Sequence, residues 1–531
     1  MSVGWSRSAA GPWGAPVGSV TSPGQHPRRE PSHNLVMRVR PYLCPYSFPY
    51  LCPCLCLCLC LCITGCHVSF SSSRLKRDAS AQPDSEVTGD ASLMPDGQVT
   101  PDALVQTDGE VPPDALVQPD GQVQPSCIPA DCPLGCNSLL DRCNRLAPRN
   151  FDVQSFYDQL YGGILAPTED IDVDTDSGKI STTSVIYRPE GSRGQAVNGI
   201  FFDVITQPGS VPLAVFGLAA LEVPGGIRVT VNGSAPAAFY IAGDLLIEGH
   251  LIGSASINQA GPGGGAGGPA DGAQGGLCYS GTQGLGGEEA GSGSEQLEAG
   301  GGGGGFRGEG GQGGDGYYGS VPGHAFGGQG GAQTVTTYTL TPLAGGCGGG
   351  AGGGPDTAGA VPNSGGSGGG GGGGIQLAVN GDLLIGSTAV LSVAGGQGRG
   401  GQHGAGGGAG GSGGALLLEA ANIEILGTLA ANGGGGGAGA PFTSDNGLDG
   451  QPGLPSDMPA QGGLGADYGG DGGSGGAGDY PDGTDGQTDA NGGGGGGGAG
   501  LILLASPGAL SYQSAVISPG SFLVSGFVSD W

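Results

Sequence analysis

Cys66 is the residue whose position most directly predicts chemistry. It closes the tetrapeptide Ile63-Thr64-Gly65-Cys66 at the end of the apolar run of residues 55–63. An apolar run of this length is typical of a signal-peptide core, because a helix that spans a bilayer needs about 20 residues. Small residues before a cysteine are what a lipoprotein signal peptidase recognises. The sequence therefore predicts that the sulfur of Cys66 carries a diacylglycerol and that the preceding residues are removed.

The signal peptide is predicted to begin at Met37. Two arginines follow Met37 directly before the apolar run and supply the positive charge that a signal peptide needs. Residues 1–36 are rich in Pro, Gly and Arg, and we interpret them as an extension upstream of the natural start. A histidine instead of an aspartate follows Cys66. This predicts an exported protein that is lipid-anchored in the outer membrane or at the cell surface.

Six further cysteines follow the lipidation site, and an even number in an exported chain predicts disulfides. Four form a tight cluster and two stand apart in the Gly-rich region: Cys127, Cys132, Cys136, Cys143, Cys278 and Cys347. The cluster contains no Cys-x-x-Cys pair, which disfavours the alternative of a zinc site. Its three possible pairings stay open. We expect Cys278 to pair with Cys347, with Cα atoms within about 7 Å.

A calcium site is the strongest candidate for metal binding, and no other cofactor is expected. Asp172, Asp174 and Asp176 alternate along an extended segment, so their carboxylates are expected on one face. Carboxylate oxygens suit Ca²⁺, although no glutamate closes the loop as in an EF-hand. The alternative is an exposed edge strand with a charged outer face. Residues 310–317 and 462–469 also resemble calcium-binding nonapeptides, but they are not in tandem, as such sites require.

Few residues suggest catalysis. No histidine after Cys66 lies near a Gly-x-Ser-x-Gly motif, which disfavours a serine hydrolase. A glycosidase needs only two carboxylates. Glu419 with Glu424, or Glu288 with Glu289, would supply them. A carbohydrate-active enzyme on a β-helix is therefore kept as an alternative function, beside a calcium-dependent structural module.

Composition defines an acidic, glycine-rich chain with an extended tether. The formal net charge of −29 repels phosphate backbones and argues against nucleic acid as a partner. Residues 66–126 contain a twelve-residue repeat that begins at Pro101 and again at Pro113. Proline at these intervals blocks helices and sheets, and the acidic charge keeps the segment extended. We expect a disordered spacer between the lipid and the folded domain.

Repeated short strands predict an all-β domain. Apolar runs punctuated by Gly, Pro and Asn follow one another through residues 200–257, without an amphipathic helix. Gly-Asp-Leu-Leu-Ile at residues 243–247 recurs at 381–385, and related strands occur at 415–429 and 500–504. Such units gain a core only by stacking on their neighbours. The pattern predicts a parallel β-solenoid, similar to a β-helix, with Gly-rich insertions; a β-sandwich with long Gly-rich loops is the alternative.

The Gly runs are expected to be ordered by their backbones. Segments such as residues 368–374 and 492–498 have no side chains to pack, so only backbone hydrogen bonds can order them. Extended glycine strands adopt polyproline II geometry and can pack closely. We expect the runs to lie side by side as a flat layer beside the solenoid.

The combination of features resembles the glycine-rich surface lipoproteins of myxobacteria and related bacteria. The shared features are the motif ending at Cys66, the acidic repeat, the short Cys cluster and the Gly-Asp-Leu-Leu-Ile strands. The resemblance implies cell-surface placement and a β-solenoid, and no activity. The predicted regions are an upstream extension (1–36), a signal peptide (37–65), a tether (66–126), a Cys-rich knot (127–149), the β-rich start of the solenoid (150–260) and its Gly-rich part (261–531).

These features together predict a lipid-anchored, non-enzymatic structural or adhesive protein of the bacterial surface. Its expected partners are the membrane, through the lipid, and extracellular polysaccharide or other cell-surface components.

Overall fold

The computed structural model describes most of the predicted folded domain. The described residues are 127, 132–137, 142–160, 162–270, 274–279, 283–290, 297–319, 323–335, 339–354, 364–442, 445–525 and 528–529. Cys66, the signal peptide and the tether lie outside them.

The described residues are almost entirely strands and extended segments, which confirms the predicted all-β class. Their one helical element is a 3-10 turn at Tyr157–Gln159. The strands are β1 Cys136–Asn137, β2 Arg142–Cys143, β3 Arg145–Leu146, β4 Ile164–Leu165, β5 Ile171–Asp174, β6 Ile180–Ser181, β7 Ile186–Arg188, β8 Gln195–Val197, β9 Ile200–Ile205, β10 Leu213–Leu218, β11 Ala220–Val223, β12 Arg228–Asn232, β13 Ala237–Ile241, β14 Leu245–Ile247, β15 His250–Ile252, β16 Glu289–Ala290, β17 Leu297–Glu298, β18 Gly374–Ile385, β19 Val390–Ser392, β20 Ala415–Ile425, β21 Thr428–Ala430, β22 Leu501–Ser506, β23 Leu510–Ser511, β24 Val516–Ser518, β25 Phe522–Ser525 and β26 Val528–Ser529. No helix in this part of the chain is long and apolar enough to cross a membrane.

Two large sheets contain most of the strands. The first has 12 strands, with the path β25-β22-β20-β18-β13-β10-β9-β8, and the second has 8, in the order β24-β21-β19-β15-β12-β5-β6-β7. From β10 onward, neighbouring strands of the first sheet pair in parallel. Five successive chain segments each give one or two strands to the first sheet and then one to the second.

The recurring Gly-Asp-Leu-Leu-Ile motif explains how these segments align. Leu245 of β14 pairs with Leu383 of β18, and Ile247 pairs with Ile385. The next copy continues the same register, because Leu383 pairs with Ile423 of β20. Equivalent apolar residues therefore lie directly above one another, and the sequence repeat becomes a repeat in space.

The first sheet buries both of its faces. Ile375, Leu377 and Val379 of β18 point into one apolar core with the side chains of the second sheet. Ala378 lies in a second core on the opposite face, which also contains Phe156. Successive residues of a strand face opposite sides. Burial on both sides explains why these strands read as continuous apolar runs and not as alternating patterns.

The Gly-rich segments between β15 and β22 form a second body, which we call the glycine bundle. The backbone hydrogen bonds of residues 492–500 show how the bundle is built. Every third amide of this run donates to the same neighbouring segment. Its amides therefore fall into three sets, which donate to carbonyls in residues 298–304, 481–487 and 431–437. A repeat of three residues is the period of a polyproline II helix. The runs are therefore ordered threefold helices.

The bundle is three-dimensional, and the expected flat layer is wrong. Carbonyl groups of the same central run accept hydrogen bonds from three further segments, at residues 407–413, 311–314 and 470–476. The central run therefore has six neighbours. A threefold helix directs its amides and carbonyls around the whole axis, whereas a flat layer would need them on two sides only.

Close packing explains why the bundle requires glycine. A Cβ atom added to Gly495 would lie 2.1 Å from the carbonyl oxygen of Gly311, and one on Gly496 would lie 1.9 Å from that of Ser474. Both distances are far below van der Waals contact. Any side chain would have to push the neighbouring backbone away and break its hydrogen bonds.

Three disulfides join the six cysteines. Cys127 pairs with Cys136, and Cys132 pairs with Cys143. Cys278 and Cys347 are bonded to each other, with Cα atoms 4.5 Å apart, and they link two segments of the glycine bundle. The amide of Gly348 also donates to the carbonyl of Leu277, 2.8 Å away, so the covalent and hydrogen-bonded contacts coincide.

Candidate functional site

The three aspartates proposed for calcium lie on β5 and in the turn that follows it. The alternative of an exposed edge strand is wrong, because β5 pairs with β12 on one side and with β6 on the other. Asp172 is exposed on β5. Asp174 accepts hydrogen bonds from the amide of Asp176 (2.9 Å) and the hydroxyl of Ser177 (2.6 Å). Asp176 accepts one from the amide of Ser234 (2.9 Å). Two of the carboxylates thus cap turns of the chain, and calcium binding here stays a prediction.

Among the described residues, one group of three potential metal ligands has its donor atoms within 4.8 Å of one another. It consists of Cys127, Cys132 and Cys136. Each of these sulfurs belongs to a disulfide. A disulfide sulfur is not the thiolate that binds zinc, so the cluster acts as a covalent knot.

The segments that resemble calcium-binding nonapeptides belong to the glycine bundle. Asp315, in the first of them, accepts a hydrogen bond from the amide of Gly327 at 2.8 Å and lies 3.1 Å from Nε2 of His324. Asp467, in the second, is exposed. Asp315 therefore joins two bundle segments through a backbone amide.

Aspartates spaced three residues apart have a structural role that the sequence analysis missed. Asp482 accepts a hydrogen bond from the amide of Glu309, and Asp485 accepts one from the amide of Gln312, both at 2.8 Å. The spacing of three matches the period of the bundle helices, so both carboxylates face the same neighbour. This spacing was the available signal in the sequence.

The carboxylates considered for glycoside hydrolysis lie in different environments. Glu419 is only 1% exposed, while Glu424 and Glu288 are exposed. The side chain of Glu289 lies outside what the structure describes. One carboxylate of the Glu419–Glu424 pair is thus buried in the protein and the other faces solvent.

Glu419 forms a polar cluster on the face of the first sheet. Its carboxylate lies 3.2 Å from Nε of Arg149 and accepts a hydrogen bond from Nε2 of Gln376 at 2.6 Å. Asn150 donates to Gln376 at 3.0 Å. Burial raises the pKa of Glu419 to about 7, against the lowering effects of Gln376 and Arg149. The cluster fastens the chain around residues 149–150 to β18 and β20.

A cavity of about 300 Å³ lies where the second core meets the glycine bundle. Its lining includes Ser210, Tyr279, Phe306, Leu340 and Pro342. Apolar side chains and the threonines at positions 334, 339 and 341 share this wall. The cavity contains none of the carboxylates considered for catalysis.

Exposed aromatic rings gather at one end of the glycine bundle. We call this group the aromatic end; it consists of Tyr317, Tyr318, His324, Phe326, Phe442 and Tyr468. The five Tyr and Phe side chains are between 37% and 57% exposed. Four of the six flank the antiparallel pair of Gly316 and Ala325, and Tyr468 directly precedes Gly469, which pairs with Asn491.

The rings form two contact groups in which neighbouring rings are inclined to each other. In the first group, Tyr468 contacts Tyr318 and Phe442, with ring centroids 5.3 Å and 5.8 Å away and interplanar angles of 80° and 40°. In the second group, His324 contacts Phe326 and Tyr317, with centroids 4.4 Å and 5.7 Å away and interplanar angles of 55° and 77°. The two groups are joined through the consecutive residues Tyr317 and Tyr318.

A hydrogen bond and nearby charges affect the ionisation of Tyr468, which contacts both other rings of its group. The pKa of Tyr468 is raised by its hydrogen bond with Tyr318 and by the negative charges of Asp467 and Asp489. Tyr468 therefore keeps its phenolic proton over the ordinary pH range. The site combines exposed apolar ring faces with neutral hydroxyls and nearby carboxylates.

Comparisons with protein-family models, with curated proteins and with solved structures found no match to this chain.

Proposed function

We propose that this chain is a lipid-anchored structural and adhesive protein of the bacterial surface, without catalytic activity, whose strands are the rungs of a parallel β-solenoid. The glycine bundle is the observation that carries the proposal. Its interior is backbone, so it supplies a stiff body with few internal side chains for chemistry. A stiff body at the end of a long tether suits contact with a surface outside the cell.

The repeated register supports the solenoid part of the proposal. The Leu-Leu-Ile motifs of β14 and β18 stack in register, and Ile423 and Ile425 of β20 continue that register, as turns of a solenoid would. The order in which successive segments supply the two sheets is also constant. Each turn then buries its apolar side chains against the next.

The composition and the aromatic end support an adhesive role. The acidic charge of the chain disfavours nucleic acid as a partner. Exposed aromatic rings grouped on one surface are typical of binding sites. Extracellular polysaccharide and other cell-surface components are the partners we propose, together with the membrane that holds the lipid.

Cys66→Ser tests the anchoring directly. In a Gram-negative host, the substitution should abolish labelling by radioactive palmitate and leave an unprocessed precursor. Cys62→Ser is the matched control, because it changes the signal-peptide core and leaves the modified sulfur in place. Continued membrane attachment of the Cys66→Ser protein would contradict the proposal. Fractionation of the wild-type protein with the inner membrane would contradict the outer-membrane placement.

Loss of adhesion is the second readout. Cells that display the wild-type protein should attach to polysaccharide-coated surfaces more strongly than cells that produce the Cys66→Ser protein. Equal attachment would remove the adhesive role and leave the lipid anchor standing.

A further inference from the structure

We infer that two copies of this chain join tail to tail, through the end of the two large sheets at which β23, β24 and β25 lie. We call this surface the C-terminal end face; its apolar residues are Leu510, Tyr512, Val516, Ile517 and Leu523. The inference goes beyond the proposed function, because it concerns a contact between two copies and not the lipid anchor or an adhesive partner.

A column of leucines in the core between the two sheets reaches this end and stops at its surface. Leu377 of β18 pairs with Leu418 of β20, which pairs with Leu504 of β22. All three side chains are 0% exposed. Leu523 of β25 occupies the next position, because it pairs with Leu504, but it is 52% exposed. The column therefore ends in a leucine with a neighbour on one side and solvent on the other.

Two further columns end in the same way. Leu429 of β21 is buried, whereas Ile517 of β24, which pairs with it, is half-buried. Ile423 of β20 is buried, and its partner Leu510 of β23 is half-buried. Ile517 and Leu510 still pack against the core. The final strands thus carry core side chains, and in the part of the chain that the structure describes no further strand of these sheets covers them.

The opposite end of the two sheets is closed. Ile180 of β6 and Phe202 of β9 are both 0% exposed, although each lies next to the last strand of its sheet, β7 or β8. Both end strands run antiparallel to their neighbours. The buried guanidinium of Arg188 donates to the carbonyls of residues 178, 189, 191, 192 and 200. Such features protect the end of a sheet from pairing with another chain.

Charge favours a second copy as the occupant of the C-terminal end face. The formal net charge of −29 makes two copies repel each other. Residues 490–529, which supply all the strands of this end face, contain no charged side chain. Val516 and Tyr512 add exposed apolar surface, at 41% and 37%. Two copies can therefore meet here without bringing like charges together, and each covers the open columns of the other.

The difference between the two ends explains why the contact is tail to tail. A surface that meets its own copy around a twofold axis gives a closed dimer, whereas head-to-tail contacts build a filament. A filament would place the C-terminal end face on the closed end. That end carries exposed Glu190 and Arg193, and its core columns already finish in buried side chains.

The test is native mass spectrometry of the full chain, released from detergent at a series of protein concentrations. We expect wild type to be a dimer. Leu523→Lys and Val516→Lys should each weaken dimerisation about 100-fold or more, because each would bury an unpaired ammonium group between the copies.

Both lysine variants are expected to fold. Leu523 and Val516 are each about half exposed in a single copy, so a lysine there can extend its ammonium group into solvent. The far-UV circular dichroism of the variants should match wild type. Ile186→Lys is the matched control. Ile186 is 58% exposed on β7 at the closed end, so its replacement should leave the dimer unchanged.

Four outcomes would overturn the inference. A wild-type protein that stays monomeric shows that a second copy does not cover the end face. Assemblies longer than a dimer, or dissociation caused by Ile186→Lys, would show that the closed end takes part. A dimer that persists in both Leu523→Lys and Val516→Lys would place the contact elsewhere, including at the lipid.

Discussion

Glu419 should make the protein less stable as the pH rises from about 4.5 to 7. Burial of the carboxyl raises its pKa from 4.5 to about 7. The folded protein therefore holds this proton more tightly than the unfolded chain does. The stabilising contribution is complete below pH 4.5 and is lost as the pH rises through 7. At 1.36 kcal/mol per pH unit, the loss is about 3 kcal/mol.

Glu419→Gln isolates this contribution, because glutamine resembles the protonated carboxyl and does not ionise. The free energy of unfolding of the variant, measured with a denaturant, should match wild type at pH 4. It should exceed wild type by up to about 3 kcal/mol at pH 8. Glu424→Gln on the same strand is the control; its carboxylate is exposed, so its profile should follow wild type.

The sign of this prediction depends on whether desolvation of Glu419 or its attraction to Arg149 has the larger effect on stability. Removal of one partner from a buried ion pair usually destabilises a protein. Here the pKa of Glu419 is raised although Arg149 lies 3.2 Å away, so desolvation outweighs the attraction. Arg149→Met should therefore increase the loss of stability at high pH. If Glu419→Gln is less stable than wild type at pH 8, or if the two profiles run parallel, the reasoning from desolvation is refuted.

Three further predictions concern the glycine bundle. Gly495→Ala should lower the free energy of unfolding by about 3 kcal/mol or more, because its Cβ would lie 2.1 Å from a carbonyl oxygen; Gly520→Ala, with no atom within 4 Å, should have little effect. Cys278→Ser should cost about 4 kcal/mol by opening the loop to Cys347, and reductant should remove the difference from wild type. Amides of residues 492–498 should resist hydrogen exchange for minutes or longer, and full exchange within seconds would contradict the bundle.

The sheets were predictable because their signal is carried by side chains. Leu245 and Leu383 occupy equivalent places in a repeated motif, and they pair directly in the structure. Apolar residues that need burial identify strands from local sequence alone. The all-β class and the stacking of the repeats follow from that requirement.

The shape of the glycine bundle was not predictable in the same way. A run of glycines has no side-chain periodicity, so sequence alone does not distinguish two neighbours from six. The expectation of a flat layer failed at this step. The sequence shows the three-residue period of the bundle helices only indirectly. Aspartates such as Asp482 and Asp485, three positions apart, accept hydrogen bonds from amides of the next segment.

The aromatic end depends on long-range folding. Tyr318 and Tyr468 are 150 positions apart in the chain and come together because their bundle segments end on the same side. Tyr468 has a φ of +73°, a backbone conformation that favours glycine, but this conformation cannot be read from the sequence. By contrast, Asp172, Asp174 and Asp176 lie close together in sequence, which is why they were noticed first.

The sheet also explains how the bundle can form at all. Glycine loses more conformational freedom on folding than other residues, and the bundle gains little from apolar burial. The runs at residues 364–373, 405–414 and 492–500 lead directly into β18, β20 and β22, which are neighbours in the first sheet. Pairing of these strands places the three runs side by side, within reach of one another's amides.

The hydrogen bonds between the runs follow the order of β18, β20 and β22 in the sheet. Gly372 donates to Ser412, and Gly413 donates to Gly498, so runs that enter adjacent strands bond to each other. The sheet thus sets the spacing and register of the runs. The entropic cost of bringing distant glycines together is lower, because one end of each run is held by a strand of the sheet. The apolar repeat and the glycine runs are therefore one folding unit, in which side-chain burial organises a body made of backbone.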